Sequence, residues 1–89
     1  MEMKKSPFHQ VPVTKGEYGK LSKVQEELEE ALDAESQGEV LLLLIELSDI
    51  IGAVAGVAES YGMGLEDLIS FSNLVRKVRS ADTKEDVND

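Results

Sequence analysis

Two pairs of acidic residues are the side chains of this sequence best suited to carry chemistry. Glu27 and Glu30 lie three residues apart in VQEELEEAL, and Glu46 and Asp49 lie three residues apart in LLLLIELSDIIGAVAG. Side chains at positions i and i+3 of a helix are neighbours, about 5–6 Å apart at their Cβ atoms. Two ionised acids at that distance repel each other unless a cation lies between them. Each pair is therefore a candidate half of a metal site.

The second pair lies in the most apolar stretch of the chain, residues 41–56. On a helical wheel these two acids share their face with apolar residues: Leu42, Leu43, Ile50, Ala53 and Val57. A buried carboxylate without a partner is costly and tends to take up a proton. We therefore expect Glu46 and Asp49 to project into an apolar environment with a positive group beside them.

An antiparallel pairing of the two helices would bring both acid pairs to one point. Oxygen-only ligands suit hard cations, Mg²⁺ first and Mn²⁺ second. Bundle proteins with paired iron or manganese use a Glu-x-x-His element. The single histidine, His9, lies far from either pair in the sequence, in an N-terminal arm. The sequence thus predicts a magnesium site and disfavours a di-iron site.

Other interpretations of the acids remain open at this point. Glu26 and Glu29 fit a solvated helix face better than a site, and Glu27 could belong to that face through an i,i+4 pair with Lys23. Glu46 and Asp49 could instead be structural acids that pair with Arg76 or Arg79 of the third helix, either in the same protomer or in a neighbour.

The elements that must position the acids are three predicted helices. Residues 1–15 read as an extended arm, because Pro7 and Pro12 interrupt any helix. Helices are predicted over 17–37, 39–61 and 65–79, with Gly38 and Gly62 as stop residues. Together they define a helical domain over 16–79, and the polar residues 80–89 read as a disordered tail.

The second predicted helix is apolar nearly all round, which means burial on most sides. Three helices of this length cannot provide that burial within one protomer. The predicted fold is therefore all-α, a three-helix protomer that assembles into a four-helix-bundle-like homo-oligomer, either a dimer or a tetramer.

Composition limits the class of function. The chain has 89 residues, no cysteine and a net charge of −9, which fits one small cytoplasmic domain and disfavours nucleic-acid binding. A membrane span over the apolar stretch is disfavoured too, since Glu46 and Asp49 would each cost about 2.5–3.5 kcal/mol near its centre.

The acidic segments also carry a family resemblance. EELEE at 26–30 followed by ELSD at 46–49 resembles the EExxE…ExxD signature of the MazG-like, all-α nucleoside triphosphate pyrophosphohydrolases. That superfamily includes dimeric dUTPases and phosphoribosyl-ATP pyrophosphatase. The likeness covers about 16–79, and KGEYGKLSKVQEELEEALDA is similar to small stand-alone members, several of them phage-encoded.

The resemblance implies an α-helical dimer or tetramer that binds Mg²⁺ and converts a nucleoside triphosphate to the monophosphate and pyrophosphate. It assigns metal ligation to four acids: Glu27, Glu30, Glu46 and Asp49. It gives Glu26 a role in orienting a ligand or water. It places phosphate binding near the end of the following helix, at Asn73, Arg76, Lys77 and Arg79. These basic residues have a simpler interpretation as partners of the helix dipole.

A carboxylate that is not fully occupied by metal would accept the proton of the attacking water, and Glu27 and Glu30 are the two candidates. The alternative from another class of function is a non-catalytic helical oligomer. Its acidic face would bind a protein partner, and its metal site would be structural or vestigial.

Overall fold

Three helices and a short N-terminal arm form the part of the chain that the computed structural model describes, residues 2–82. The arm contains strands β1 (Met3–Lys4) and β2 (Val13–Thr14), which pair antiparallel with Met3 opposite Thr14. Helices α1 (Leu21–Gln37), α2 (Val40–Ser60) and α3 (Leu65–Asp82) follow. The prediction of an all-α fold is confirmed at this level.

Two glycines set the ends of α1. Gly19 has a φ of 90°, which a helix does not accommodate, so α1 begins at Leu21, four residues after its predicted start. At the other end Gly38 adopts the left-handed conformation with φ 73°, as expected for a residue that terminates a helix. The connection to α2 is only two residues long, and α1 and α2 therefore pack as the predicted helical hairpin.

Helix α3 extends three residues beyond its predicted end, to Asp82. Residues 80–82 of the predicted tail are thus helical, and residues 83–89 lie outside the described part of the chain. Within that part, α3 packs on α2 and makes no close backbone approach to α1. An apolar groove of about 390 Å³ lies open between the three helices, with Val24, Val57 and Leu68 among its lining residues.

The buried side of α1 consists of acids and small residues. Ala31 and Ala34 are buried together with Glu27 and Glu30, whereas the leucines of α1 face outward. Those exposed side chains are Leu21, Leu28 and Leu32. These leucines therefore have little cover among the described residues.

Helix α2 also exposes large apolar side chains, and it exposes more of them than α1 does. By length and composition α2 is apolar enough to cross a membrane, but core helices of water-soluble proteins pass the same test. Only 17% of its most apolar segment is buried in the protomer. Leu41, Leu44 and Ile51 lie exposed on the side opposite Glu46. The radius of gyration is 15.8 Å, compared with about 12 Å for a compact domain of this length.

The arm returns along α1 and is fixed there by a close backbone approach at Gly16. A Cβ atom at this position would lie 2.1 Å from the carbonyl oxygen of Ser22 in the first turn of α1. Only glycine fits unless the backbone moves. The amide of Gly16 also donates a hydrogen bond of 2.8 Å to Glu26 Oε1.

We expect Gly16→Ala to lower the free energy of unfolding by about 1–3 kcal/mol, the usual cost of overpacking. Thermal and urea unfolding followed by circular dichroism measure the change. Gly64→Ala is the matched control, because its added Cβ would have an ordinary contact of 3.5 Å to Asp67 Oδ2. Equal stability of both variants and the parent would show that the arm does not hold this backbone position.

Candidate metal centre

A cluster of buried carboxylates lies where α1 meets α2 and the arm. Glu26 is fully buried, and Glu27 and Glu46 are only 7% and 5% exposed. Glu30 and Asp33 are buried as well. The sequence favoured a solvated face for Glu26, and this is wrong, because the arm covers that side of α1.

The structure brings the four predicted metal ligands together. Carboxylate oxygens of Glu27, Glu46 and Asp49 lie within 4.8 Å of one another. Glu30 lies within the same distance of Glu46, in a second group that includes His9. Glu46 therefore belongs to both groups and forms the centre of the cluster.

The position of Asp49 differs from the expectation that Glu46 and Asp49 both lie in an apolar environment. Glu46 is buried, but Asp49 is exposed. On the helix the two side chains are about 60° apart. Glu46 points at α1, and Asp49 lies at the solvent-facing edge of the contact. The cluster therefore has a buried side and an open side.

Two oxygen atoms of the cluster fit a role as metal ligands. Glu27 Oε1 and Glu46 Oε1 are buried and have no hydrogen-bond partner among the described residues. A third such atom, Glu26 Oε2, forms an ion pair with the Lys4 ammonium. Buried charged oxygens without partners are costly, and a cation would satisfy them. The all-oxygen set of Glu27, Glu46 and Asp49 suits a hard divalent cation such as Mg²⁺.

His9 is the residue of the site that the sequence did not predict. Its imidazole is 3% exposed and lies between two acids, with Nδ1 2.7 Å from Asp33 Oδ2 and Nε2 2.8 Å from Glu46 Oε2. Burial alone would lower the pKa of His9, but the hydrogen bonds to Glu46 and Asp33 outweigh it and raise the pKa above its ordinary value. The position of His9 in the arm is as predicted. Its presence among the acids follows from the return of the arm along α1.

Asp33 was also absent from the predicted site. Besides His9, its Oδ2 accepts hydrogen bonds from the Gln10 amide at 3.1 Å and from Gln37 Nε2 at 2.8 Å. Burial would raise the pKa of Asp33, and these hydrogen bonds, His9 first, lower it below its ordinary value. Asp33 is therefore an ionised acid that fixes the position of the imidazole.

Two lysines hold the outer acids of α1. Lys4 pairs with Glu26 and lies 3.3 Å from Glu30 Oε2, and Lys23 lies 3.2 Å from Glu26 Oε1 and 3.3 Å from Glu27 Oε2. Burial would raise the pKa of Glu26, but Lys4, the Gly16 amide and Lys23 outweigh it and lower the pKa. Glu26 thus anchors the arm, and its role in orienting a ligand or water stays a prediction.

The cluster carries an excess of negative charge. Within residues 2–82, five buried carboxylates contact three basic side chains, so the acids exceed their basic partners by two charges even when His9 is protonated. This excess of negative charge affects the pKa of Glu27. Burial raises its pKa, Lys23 opposes this, and the neighbouring charges of Glu30 and Asp49 raise it further.

The predicted phosphate-binding residues lie elsewhere in the protomer. They are exposed on α3, which does not approach α1 within residues 2–82: Asn73, Arg76, Lys77 and Arg79. Arg76 and Arg79 line an open depression of about 560 Å³ with Phe71, Ser72 and Val75. If Glu46 is a structural acid, its partner is the His9 imidazole, whereas the sequence suggested Arg76 or Arg79.

Comparisons of the chain with family sequence models, with characterised proteins and with solved structures find no match.

Proposed function

We propose that the chain is a Mg²⁺-dependent nucleotide pyrophosphohydrolase that converts a (d)NTP to the monophosphate and pyrophosphate. The observation that carries this proposal is the pair of buried oxygens without partners, Glu27 Oε1 and Glu46 Oε1, in a cluster with excess negative charge. The resemblance of EELEE and ELSD to the MazG-like signature specifies the reaction.

Four acids have a defined role in this proposal. Glu27, Glu46 and Asp49 would hold Mg²⁺, with Glu30 as the fourth ligand beside Glu46. The metal supplies charge neutralisation on the phosphate oxygens and acidifies a bound water. Both candidate bases have a lysine partner at 3.3 Å, Lys23 at Glu27 and Lys4 at Glu30. Glu27 and Glu30 therefore both stay candidates for accepting the water's proton.

The active form in this proposal is a homo-oligomer. The exposed apolar faces of α1 and α2 need a cover, and Glu46 and Asp49 within the apolar stretch of α2 make a second protein copy a better cover than lipid. Because α3 does not approach α1 in the protomer, its basic residues would reach phosphates at the acidic cluster of a partner subunit. A cytoplasmic location without membrane contact completes the proposal.

The test is a panel of NTPs and dNTPs incubated with the purified protein and Mg²⁺, Mn²⁺ or EDTA, with products separated by ion-exchange chromatography. We expect monophosphate and pyrophosphate with either metal and no product with EDTA. Diphosphate and orthophosphate would place the cleavage at the γ-phosphate and contradict the proposed reaction. The same panel ranks bases and sugars as substrates.

One observation favours the non-catalytic alternative. Lys4, Lys23 and His9 already compensate most of the acids, so the cluster has internal partners without any metal. In that case the chain would be a helical oligomer whose acidic surface binds a protein and whose metal site is structural. Metal that raises the melting temperature, with no turnover of any nucleotide, would support this alternative.

A further inference from the structure

We propose that His9, Glu30 and Glu46 form a second metal position, with one imidazole nitrogen, that takes a divalent first-row transition-metal ion in preference to Mg²⁺. The inference deepens the proposed function and rests on its metal site. Ligand atoms of these three residues lie within 4.8 Å of one another, and all three residues are buried. The position shares Glu46 with the all-oxygen group of Glu27 and Asp49.

The orientation of His9 is that of a metal ligand. A ligating histidine usually donates its other ring N–H to a carboxylate, which fixes the tautomer and the ring plane. Here Nδ1 lies 2.7 Å from Asp33 Oδ2, and Asp33 is itself held by Gln10 and Gln37. The proton therefore stays at Nδ1, and Nε2 faces Glu46.

Glu46 offers an oxygen for the ion. Its Oε2 lies 2.8 Å from His9 Nε2, and its Oε1 is buried without a hydrogen-bond partner. Glu30 contacts Lys4 through Oε2. When the ion binds, it replaces the proton between Nε2 and Glu46, and that proton leaves to solvent.

The donor set determines the class of ion. An imidazole nitrogen with two carboxylates suits manganese, iron, cobalt or zinc, whereas Mg²⁺ prefers oxygen ligands and retains its waters. The two groups of ligands that share Glu46 therefore differ in the metal ion that they prefer. The group with Asp49 favours the hard ion, and the group with His9 favours the transition metal.

The test uses Mn²⁺ alone, bound to the full-length protein, and pulsed electron paramagnetic resonance to detect ¹⁴N coupled to the metal. The chain has one histidine, so an imidazole signal identifies His9 without further assignment. We expect the imidazole coupling in the parent protein and its loss in His9→Gln. Asp33→Asn should retain the coupling and weaken Mn²⁺ binding by about 10–100-fold.

Asp49→Asn is the matched control, because Asp49 belongs only to the all-oxygen group; the imidazole coupling should persist in it. If His9→Gln does not fold, the parent spectrum and Asp33→Asn decide the question. Bound Mn²⁺ without imidazole coupling would overturn the inference and leave the proposed function standing. No Mn²⁺ binding, together with no turnover in Mg²⁺, would overturn both.

Discussion

We expect the proposed nucleotide hydrolysis to fall about 1000-fold in Glu46→Gln, which corresponds to about 4 kcal/mol of lost transition-state stabilisation. Glu46 is the acid shared by both metal-binding groups, and its Oε1 is buried without a partner. Glutamine has nearly the same shape and retains an acceptor for His9, but it lacks the charge that holds a divalent cation. Steady-state rates at saturating Mg²⁺ measure the effect.

Glu39→Gln is the matched control for this substitution. Glu39 precedes α2, is exposed, and its side chain makes no capping hydrogen bond. The same chemical change there should leave the rate within about twofold, since exposed substitutions have small effects. A Glu46→Gln variant as active as this control would remove Glu46 from the mechanism and favour the non-catalytic oligomer.

The double variant Leu44→Glu, Ile51→Glu should not associate. Both side chains are exposed on the face of α2 opposite Glu46, and each would contribute about 1.5–3 kcal/mol when covered by a second copy. Their loss weakens self-association by at least about 100-fold. The new carboxylates add a desolvation cost to any remaining contact. Light scattering coupled to size exclusion should then give the protomer mass of 9.7 kDa.

The parent protein should have a mass that is a multiple of 9.7 kDa, corresponding to a dimer or a tetramer. Ile51→Leu keeps the apolar surface and should keep that mass. It therefore controls for effects of a substitution at position 51 that do not come from loss of the apolar contact. A parent protein of protomer mass would contradict the proposed oligomer. It would also remove the proposed route by which Arg76 and Lys77 reach the acids.

The helical positions of the acids could be predicted because helix periodicity fixes which side chains share a face. Glu27 and Glu30 fall on one side of α1, Glu46 falls toward them on α2, and a two-residue connection allows little freedom between the helices. No comparable rule relates His9 to Asp33. They are 24 residues apart and meet because an irregular arm returns along α1. The spacing of residues in the sequence contains no signal for that contact.

The leucines of α1 show a second limit of predicting burial from helix periodicity. Leu28 and Leu32 recur at helical spacing, which identifies an apolar stripe without showing what covers it. In the protomer α2 packs against the alanines and acids of α1 and leaves this stripe exposed. Tight packing between the two helices requires small residues such as Ala31 and Ala34, and these carry little weight in a hydrophobic pattern.

The contacts of Lys4 and His9 make the arm a competitor for the Mg²⁺ that the acids of the cluster would bind. Both basic groups contact acids that are also proposed ligands, Glu30 and Glu46. The affinity measured for a metal is then the intrinsic affinity reduced by the fraction of molecules in which these acids are free. If that fraction is about 1%, the apparent dissociation constant is about 100-fold larger than the intrinsic one. Selectivity between ions would then depend on the conformational equilibrium of the arm as well as on the ligand atoms.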